Sequence, residues 1–340
     1  MPNKVELPSK NNIGLLRYIL ASGVIAGHYY VLSGRELSPL IQLSDLVGGF
    51  FAISGFLIYK SYKSRNSLAA YISHRARRIL PQYMFVVIIS ALLLACFSSL
   101  APAEYFTSTG FYKYLGANLT FLNFLHPTLP GVFTDNPITA VNGSLWTMKV
   151  EWLLYLSMPA AVWLTDRYRN RRFTILAAVY ASAIFYRLTM EYIYSRTGNE
   201  IYRILARQVF YQMAYFYSGA AIYIAYERFC RHKWSITSVA VILYVLSIFN
   251  YPMQLICRPA ALAVILITAG TTGRWGAWTG RNDNISYDMY LMHFPVIQVA
   301  VQLGWSESLG FMTTLALTAA ITVALSCISW FGIGKPVLSR

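Results

Sequence analysis

Apolar residues fall in runs of about twenty, separated by shorter polar stretches that hold most of the charge. A helix needs about 20 apolar residues to cross a hydrocarbon core of ~30 Å, so each run predicts a spanning helix. Ten are expected, at about residues 13–32, 43–61, 82–100, 145–165, 172–190, 207–226, 235–251, 254–271, 285–304 and 309–332. The fold class this implies is all-α, a polytopic bundle of transmembrane helices. Lys4 and Lys10 ahead of the first run give the charge order of a signal peptide. The run is long enough to span, and no small-residue cleavage pattern follows it, so it reads as a retained first span. The longest stretch without a helical pattern, about 101–144, is rich in Thr, Asn and Pro. It reads either as a plain solvated connection or as a cap over an acceptor site. No internal repeat stands out, which leaves one transmembrane domain over 13–333, with tails at 1–12 and 334–340.

Composition agrees with the pattern. Hydrophobic residues make up 56% of the chain and charged residues 12%, a combination foreign to water-facing domains. A net charge of +15 would suggest nucleic acid in a soluble protein. Here the cations gather between apolar runs, as in loops facing anionic lipid, and leave no basic face for a nucleic acid. Lys60, Lys63, Arg65, Arg75, Arg77 and Arg78 follow the second run, and Arg167, Arg169, Arg171 and Arg172 the fourth. Arg228, Arg231 and Lys233 follow the sixth, and Arg274 and Arg281 the eighth. The positive-inside rule places these even-numbered loops, and with them both termini, in the cytoplasm. The fifth loop is an exception, since Arg196, Arg203 and Arg207 outnumber Glu191 and Glu200 there. Cys96, Cys230, Cys257 and Cys327 have no paired spacing, so neither a disulfide framework nor a metal site is expected.

Against this apolar background a few costly residues stand out. Arg17 and His28 both fall in the first run, eleven residues apart. Eleven helical steps make about three turns plus 20°, so both project from one face, about 16 Å apart. Ionisable groups inside a membrane are expensive and call for a function. Arg75 and Arg78, in Ser73-His74-Arg75-Ala76-Arg77-Arg78-Ile79-Leu80-Pro81, read either as a positive-inside anchor or as a clamp for phosphates. On a short helix ended by Pro81, the two would share a side. The small residues of Gly48-Gly49-Phe50-Phe51-Ala52-Ile53-Ser54-Gly55 suit close helix packing, with approach of a ligand chain to Ser54 and Gly55 as the alternative. Glu151 lies about 9 Å into the fourth run, a depth comparable with that of His28, where a carboxylate can orient an imidazole. The alternative is a pair with the neighbouring Lys149 or with a structural Arg. In the ninth run, Pro295 should kink the helix near His293, a residue kept as a pocket candidate only.

Taken in order, these segments resemble the acyltransferase-3 family of integral membrane O-acyltransferases. The resemblance rests on the Arg17 to His28 spacing, on Phe50-Phe51-Ala52-Ile53-Ser54-Gly55-Phe56 and on Arg75-x-x-Arg78-Ile79-x-Pro81. It extends through Ser144-Leu145-Trp146-Thr147-x-x-Val150-Glu151, Ser286-Tyr287-x-x-Tyr290-Leu291-x-His293-Phe294-Pro295 and the closing Trp330-Phe331-Gly332-Ile333-Gly334. What it implies is transfer of an acyl group, usually acetyl, from acetyl-coenzyme A as cosubstrate to a hydroxyl of an extracytoplasmic or lipid-linked glycan. No tightly bound cofactor or metal is implied, and the location would be a bacterial inner membrane. Carried over by position, Arg17, His28 and Glu151 are the catalytic candidates. Arg75, Arg78, Arg17 and Ser54 are donor-side candidates, and Trp146, Tyr287 and His293 are substrate-pocket candidates.

Three positions depart from the family pattern. Trp152 stands where many members have a second acid, Met292 where Trp is common and Gly334 where Glu is common. The first argues against any mechanism that needs paired carboxylates there. The rival reading from another class is a proton-coupled transporter or flippase for an anionic or lipid-linked substrate. The lack of an inverted repeat and the clustering of reactive residues in the first half of the chain count against it.

Overall fold

The computed structural model describes residues 10–37, 42–65, 67–279 and 284–339. The expected contributions of Lys4 and Arg281 lie outside the described residues. Among the described residues sixteen α-helices follow one another: α1 Ile13–Leu32, α2 Leu43–Lys63, α3 Leu68–Leu93, α4 Pro102–Thr107, α5 Thr109–Leu119 and α6 Trp146–Arg167. Next come α7 Arg172–Thr197, α8 Glu200–Leu205, α9 Val209–Ile224, α10 Tyr226–Phe249, α11 Tyr251–Ile256 and α12 Arg258–Thr271. The chain closes with α13 Ser286–Gln302, α14 Trp305–Ser308, α15 Phe311–Ser329 and α16 Lys335–Leu338, the last two joined by a π-helical turn at Trp330–Gly334. Among the described residues the sole β-type pairing is an isolated bridge between Ser98 and Val132.

Every predicted run holds a helix, and among the described residues six helical stretches are long and apolar enough to cross a membrane. The other four runs correspond to α6, which carries Lys149, Glu151, Asp166 and Arg167, and to the shorter α9, α12 and α13. Two boundaries differ from expectation. The helix α3 begins at Leu68 rather than near 82, so Arg75 and Arg78 belong to a 26-residue helix and not to a loop. Pro81 lies inside that helix and does not end it, because buried Tyr71, Ile79, Tyr83, Val86 and Val87 anchor it on both sides of the proline. Likewise α10 begins at Tyr226, which makes Arg228, Arg231 and Lys233 helical, with a kink at His232 (φ −118°, ψ 16°). The 101–144 stretch is not structureless either, since it contains α4 and α5.

Two other prolines show how an apolar bundle accounts for its backbone. A proline lacks the N–H that would bond the carbonyl four residues earlier, and that carbonyl has no water to turn to. In α6 Pro159 orphans the Tyr155 carbonyl, and the Tyr71 hydroxyl donates to it at 2.9 Å. In α13 Pro295 orphans the Leu291 carbonyl, and Asn142 Nδ2 donates to it at 2.8 Å.

The chain forms two compact units. The first comprises the described residues of Met1–Leu20, Ser44–Ile72 and Val150–Gly280. Its core joins Ile13, Leu16 and Leu20 to Ile53, Phe56, Tyr226, Phe229 and Ile267. A Cβ on Gly55 would lie 1.7 Å from the Phe216 carbonyl oxygen, and one on Gly219 would lie 2.0 Å from that of Ala52. The glycines therefore bring the α2 and α9 backbones into direct contact, the packing role of small residues in lipid.

The second unit comprises the described residues of Ala21–Leu43, Ser73–Lys149 and Arg281–Arg340. Its centre is α13, thirteen of whose seventeen residues are buried, which marks it as an internal helix. Along α15 the fully buried Thr314, Thr318, Thr322 and Ser326 recur every fourth residue, and each hydroxyl donates to a carbonyl one turn back. That satisfies their polarity internally and leaves a thin face to pack on α13.

Candidate active site

The second unit builds its polar centre on α13. Just before the helix, Asn284 Oδ1 accepts the Ser286 N–H at 3.0 Å, an Asx turn that leads the chain into the first turn. The segment leading into α6 docks along it. Asn142 Oδ1 accepts from Ser144 Oγ at 2.6 Å, and Thr147 Oγ1 donates to the Tyr290 hydroxyl at 3.0 Å. Further along, Gln298 Nε2 donates to the carbonyls of Ile138 and Ala140 at 2.6 and 2.7 Å, and Asn136 Nδ2 donates to Gln298 Oε1 at 2.9 Å. Part of the 101–144 stretch thus braces the helix that carries His293.

His293 is fully buried, and its Nε2 lies 2.9 Å from Nδ1 of His28. Its other ring nitrogen, Nδ1, lies 3.3 Å from the Met289 carbonyl oxygen. The two imidazole centroids are 4.9 Å apart. Phe294 presents its edge to His28 at 5.4 Å, and Tyr290 flanks His293 at 5.7 Å. A Cβ on Gly143 would meet the Phe294 ring at 2.7 Å, so the glycine before Ser144 is what lets that ring sit there. His28 itself remains partly accessible. A direct bond between two imidazoles needs one donating and one accepting nitrogen, so the pair carries at most one extra proton. Such a pair can accept a proton and hold it away from bulk water.

The other expected residues are placed as follows. α1 is unbroken from Ile13 to Leu32, so Arg17 and His28 stand on one helix, with Arg17 assigned to the first unit and His28 to the second. Glu151 lies in the first unit, where the Tyr155 hydroxyl one turn on donates to it. Ser54 is partly buried beside Gly55, whose close approach is to the α9 backbone. Trp146 opens α6 and is partly buried.

Arg78, Tyr287 and Trp330 come together in the second unit. The Arg78 guanidinium lies over the Trp330 ring at 4.7 Å and one of its nitrogens lies 3.4 Å from the Asn284 carbonyl oxygen, while the Tyr287 hydroxyl donates to the Ile79 carbonyl at 3.1 Å. Arg75 shares their unit and is partly accessible, whereas Arg77 is exposed. The departure at Gly334 also has a local reason. A Cβ there would lie 2.2 Å from Gln82 Nε2, so the Gln82 amide fills the room a larger residue would need.

Sequence reasoning kept His293 only as a pocket residue and missed its pairing with His28. A signal was present, since two histidines in apolar helices each need a partner. It also passed over Asp45 and Arg258, which form a buried ion pair at 3.0 Å within the first unit. An apolar cleft of about 620 Å³, lined by Ser22, Ile25 and Ala26 of α1, Met289 of α13 and Leu315 and Ala319 of α15, offers little to phosphates or glycan hydroxyls.

The profile of the acyltransferase domain matches residues 10–331. The chain is 26% identical to an O-acetyl transferase of Shigella phage Sf6, over 95% of each chain. It is 25% identical to nodulation protein 10 of Rhizobium leguminosarum bv. viciae, over 97% of this chain and 93% of that one. No solved structure matches it significantly.

Proposed function

Because this chain belongs to the acyltransferase-3 family and is a multi-pass membrane O-acyltransferase, we propose that it moves an acetyl group from cytosolic acetyl-coenzyme A to a hydroxyl of an extracytoplasmic or lipid-linked glycan. The observation that carries this reading is the placement of His28: a largely buried imidazole in an apolar helix, hydrogen-bonded to a fully buried second imidazole. An imidazole has the chemistry that general-base work requires.

In this reading Arg75 and Arg78 hold the donor's phosphates, for which guanidinium forks are well matched, and Arg17 draws the anionic donor toward the bundle. Ser54 contacts the donor chain, while Trp146 and Tyr287 line the acceptor's approach. The acceptor oxygen attacks the thioester carbonyl as His28 takes the hydroxyl proton. A C–O bond forms, the C–S bond breaks, and the departing thiolate recovers that proton as free coenzyme A. The inner membrane of a bacterium is the setting that gives access to both substrates.

The test is to incubate membranes containing the protein with acetyl-coenzyme A labelled in the acetyl group. Label should move into base-labile esters on glycan, with one coenzyme A released per ester. Label that stays on the donor while the protein is folded would overturn the proposal. Arg75→Ala and Arg78→Ala should each raise the KM for acetyl-coenzyme A about tenfold, as expected for loss of one charge-assisted hydrogen bond. An unchanged KM would return both residues to a topological role.

A further inference from the structure

His28 has two ring nitrogens, and only one can serve as a base in the neutral ring. The hydrogen bonds around it decide which. His293 Nδ1 faces the Met289 carbonyl, an acceptor only, so that nitrogen carries the hydrogen. In a neutral ring the other nitrogen, Nε2, then bears a lone pair. Since it lies 2.9 Å from His28 Nδ1, the latter must donate. The Val24 carbonyl, one turn before His28, is a second acceptor beside the same ring and again calls for a donating nitrogen. The basic lone pair of His28 is left on Nε2.

We propose that His293 is a positioning residue which, by accepting the Nδ1–H of His28, keeps His28 Nε2 basic and free for the acceptor hydroxyl. This rests on the reading of His28 as the base. It assigns to a second imidazole the task that a carboxylate performs in a Ser-His-Asp arrangement: fixing the tautomer and orientation of the working ring. A neutral partner suits this place, because a buried carboxylate would need a compensating charge in an apolar surrounding. His293 is well fixed for the task. It is fully buried, its helix is bonded to Asn142 at the Leu291 carbonyl, and the Phe294 ring that also contacts His28 is held against Gly143.

Three variants of the full chain in lipid nanodiscs separate the possibilities. His293→Leu keeps the side chain's bulk and removes the acceptor, whereas His293→Gln restores an oxygen acceptor near the Nε2 position. His28→Ala tests the underlying reading. Coenzyme A release from acetyl-coenzyme A in the presence of native membrane glycan gives kcat and KM, and 15N spectra of labelled histidine report which ring nitrogen is protonated. With five histidines in the chain, the His28 signals are those lost in His28→Ala.

The expected result is a fall in kcat of about 10- to 100-fold in His293→Leu, typical for loss of an orienting partner, at unchanged KM for acetyl-coenzyme A. His293→Gln should recover to within a fewfold of wild type. The wild-type His28 ring should show a protonated Nδ1 and a bare Nε2, with that pattern lost in His293→Leu. Wild-type kcat in His293→Leu, equal impairment of the Leu and Gln variants, or a protonated Nε2 in the wild type would each overturn the proposal. An active His28→Ala would remove the underlying reading. An inactive His28→Ala beside a fully active His293→Leu would remove this inference alone.

Discussion

The buried Asp45–Arg258 pair of the first unit and the buried His28–His293 pair of the second are built differently. In the first unit, Arg258 uses every guanidinium nitrogen: Nε to Ser247 Oγ at 2.9 Å, and the terminal two to Asp45 at 3.0 Å and the Ser247 carbonyl at 2.8 Å. Asp45 takes a further bond from the Tyr244 hydroxyl on the same oxygen, at 2.9 Å. Charge cancels charge, and three of the five guanidinium N–H groups are bonded within the unit. In the second unit, His28 and His293 share a single hydrogen bond of 2.9 Å between neutral rings. The first pair holds helices together. The second, in the proposed mechanism, keeps a reactive lone pair inside the bundle, and this contrast would separate a structural buried polar group from a chemical one.

The contrast can be broken most forcefully at Arg258. Arg258→Leu leaves Asp45 buried without its counter-charge and should lower stability by about 3–5 kcal/mol, measured by unfolding in mixed SDS micelles. Stability within 1 kcal/mol of wild type, a bound set by the ~1 kcal/mol typical of mutations generally, would show that the pair holds nothing. The double variant Asp45→Leu with Arg258→Met should recover most of that loss, since well-packed apolar residues commonly replace a buried ion pair at no net cost. A double variant as unstable as the single one would point to a function for the charges themselves.

Smaller effects should follow at the two carbonyls freed by prolines. Tyr71→Phe and Asn142→Leu each leave one carbonyl unsatisfied and should cost about 1–3 kcal/mol in the same unfolding assay. Asn142→Leu should also slow coenzyme A release, because it loosens the turn of α13 that carries His293. If stability falls and turnover does not, the bracing of α13 is independent of the chemistry. Least of all should come from Lys63→Ala. Its ion pair with Asp166 is largely exposed, so the change should stay within roughly 0–1 kcal/mol.

These expectations trace how much of the molecule was legible in its sequence. Each of the ten apolar runs holds a helix core, because hydrocarbon thickness sets a length that composition alone reveals, whereas the short α4, α5 and α8 lie outside the runs. The glycines of α2 signalled close packing for the same kind of reason, and Gly55 against the Phe216 carbonyl bears this out. Hydropathy could not find the start of α3. The turns carrying Arg75, Arg77 and Arg78 are helical yet polar, and a window on apolarity ends where the charge begins. Partners distant in the chain were also hidden. His28 and His293 are 265 residues apart, and Asp45 and Arg258 are 213 apart, distances over which periodicity says nothing. What the sequence did offer was the cost of each residue in an apolar helix, and pairing those costs is the inference it would have allowed.

The most direct test of the central claim is turnover in His28→Ala. At equal amounts of folded protein, with labelled acetyl-coenzyme A and native membrane glycan, the rate of ester formation should fall by about 10²- to 10⁴-fold, the usual contribution of a general base. The profile in size-exclusion chromatography should match the wild type. Ester formation at the wild-type rate in that variant would contradict the account.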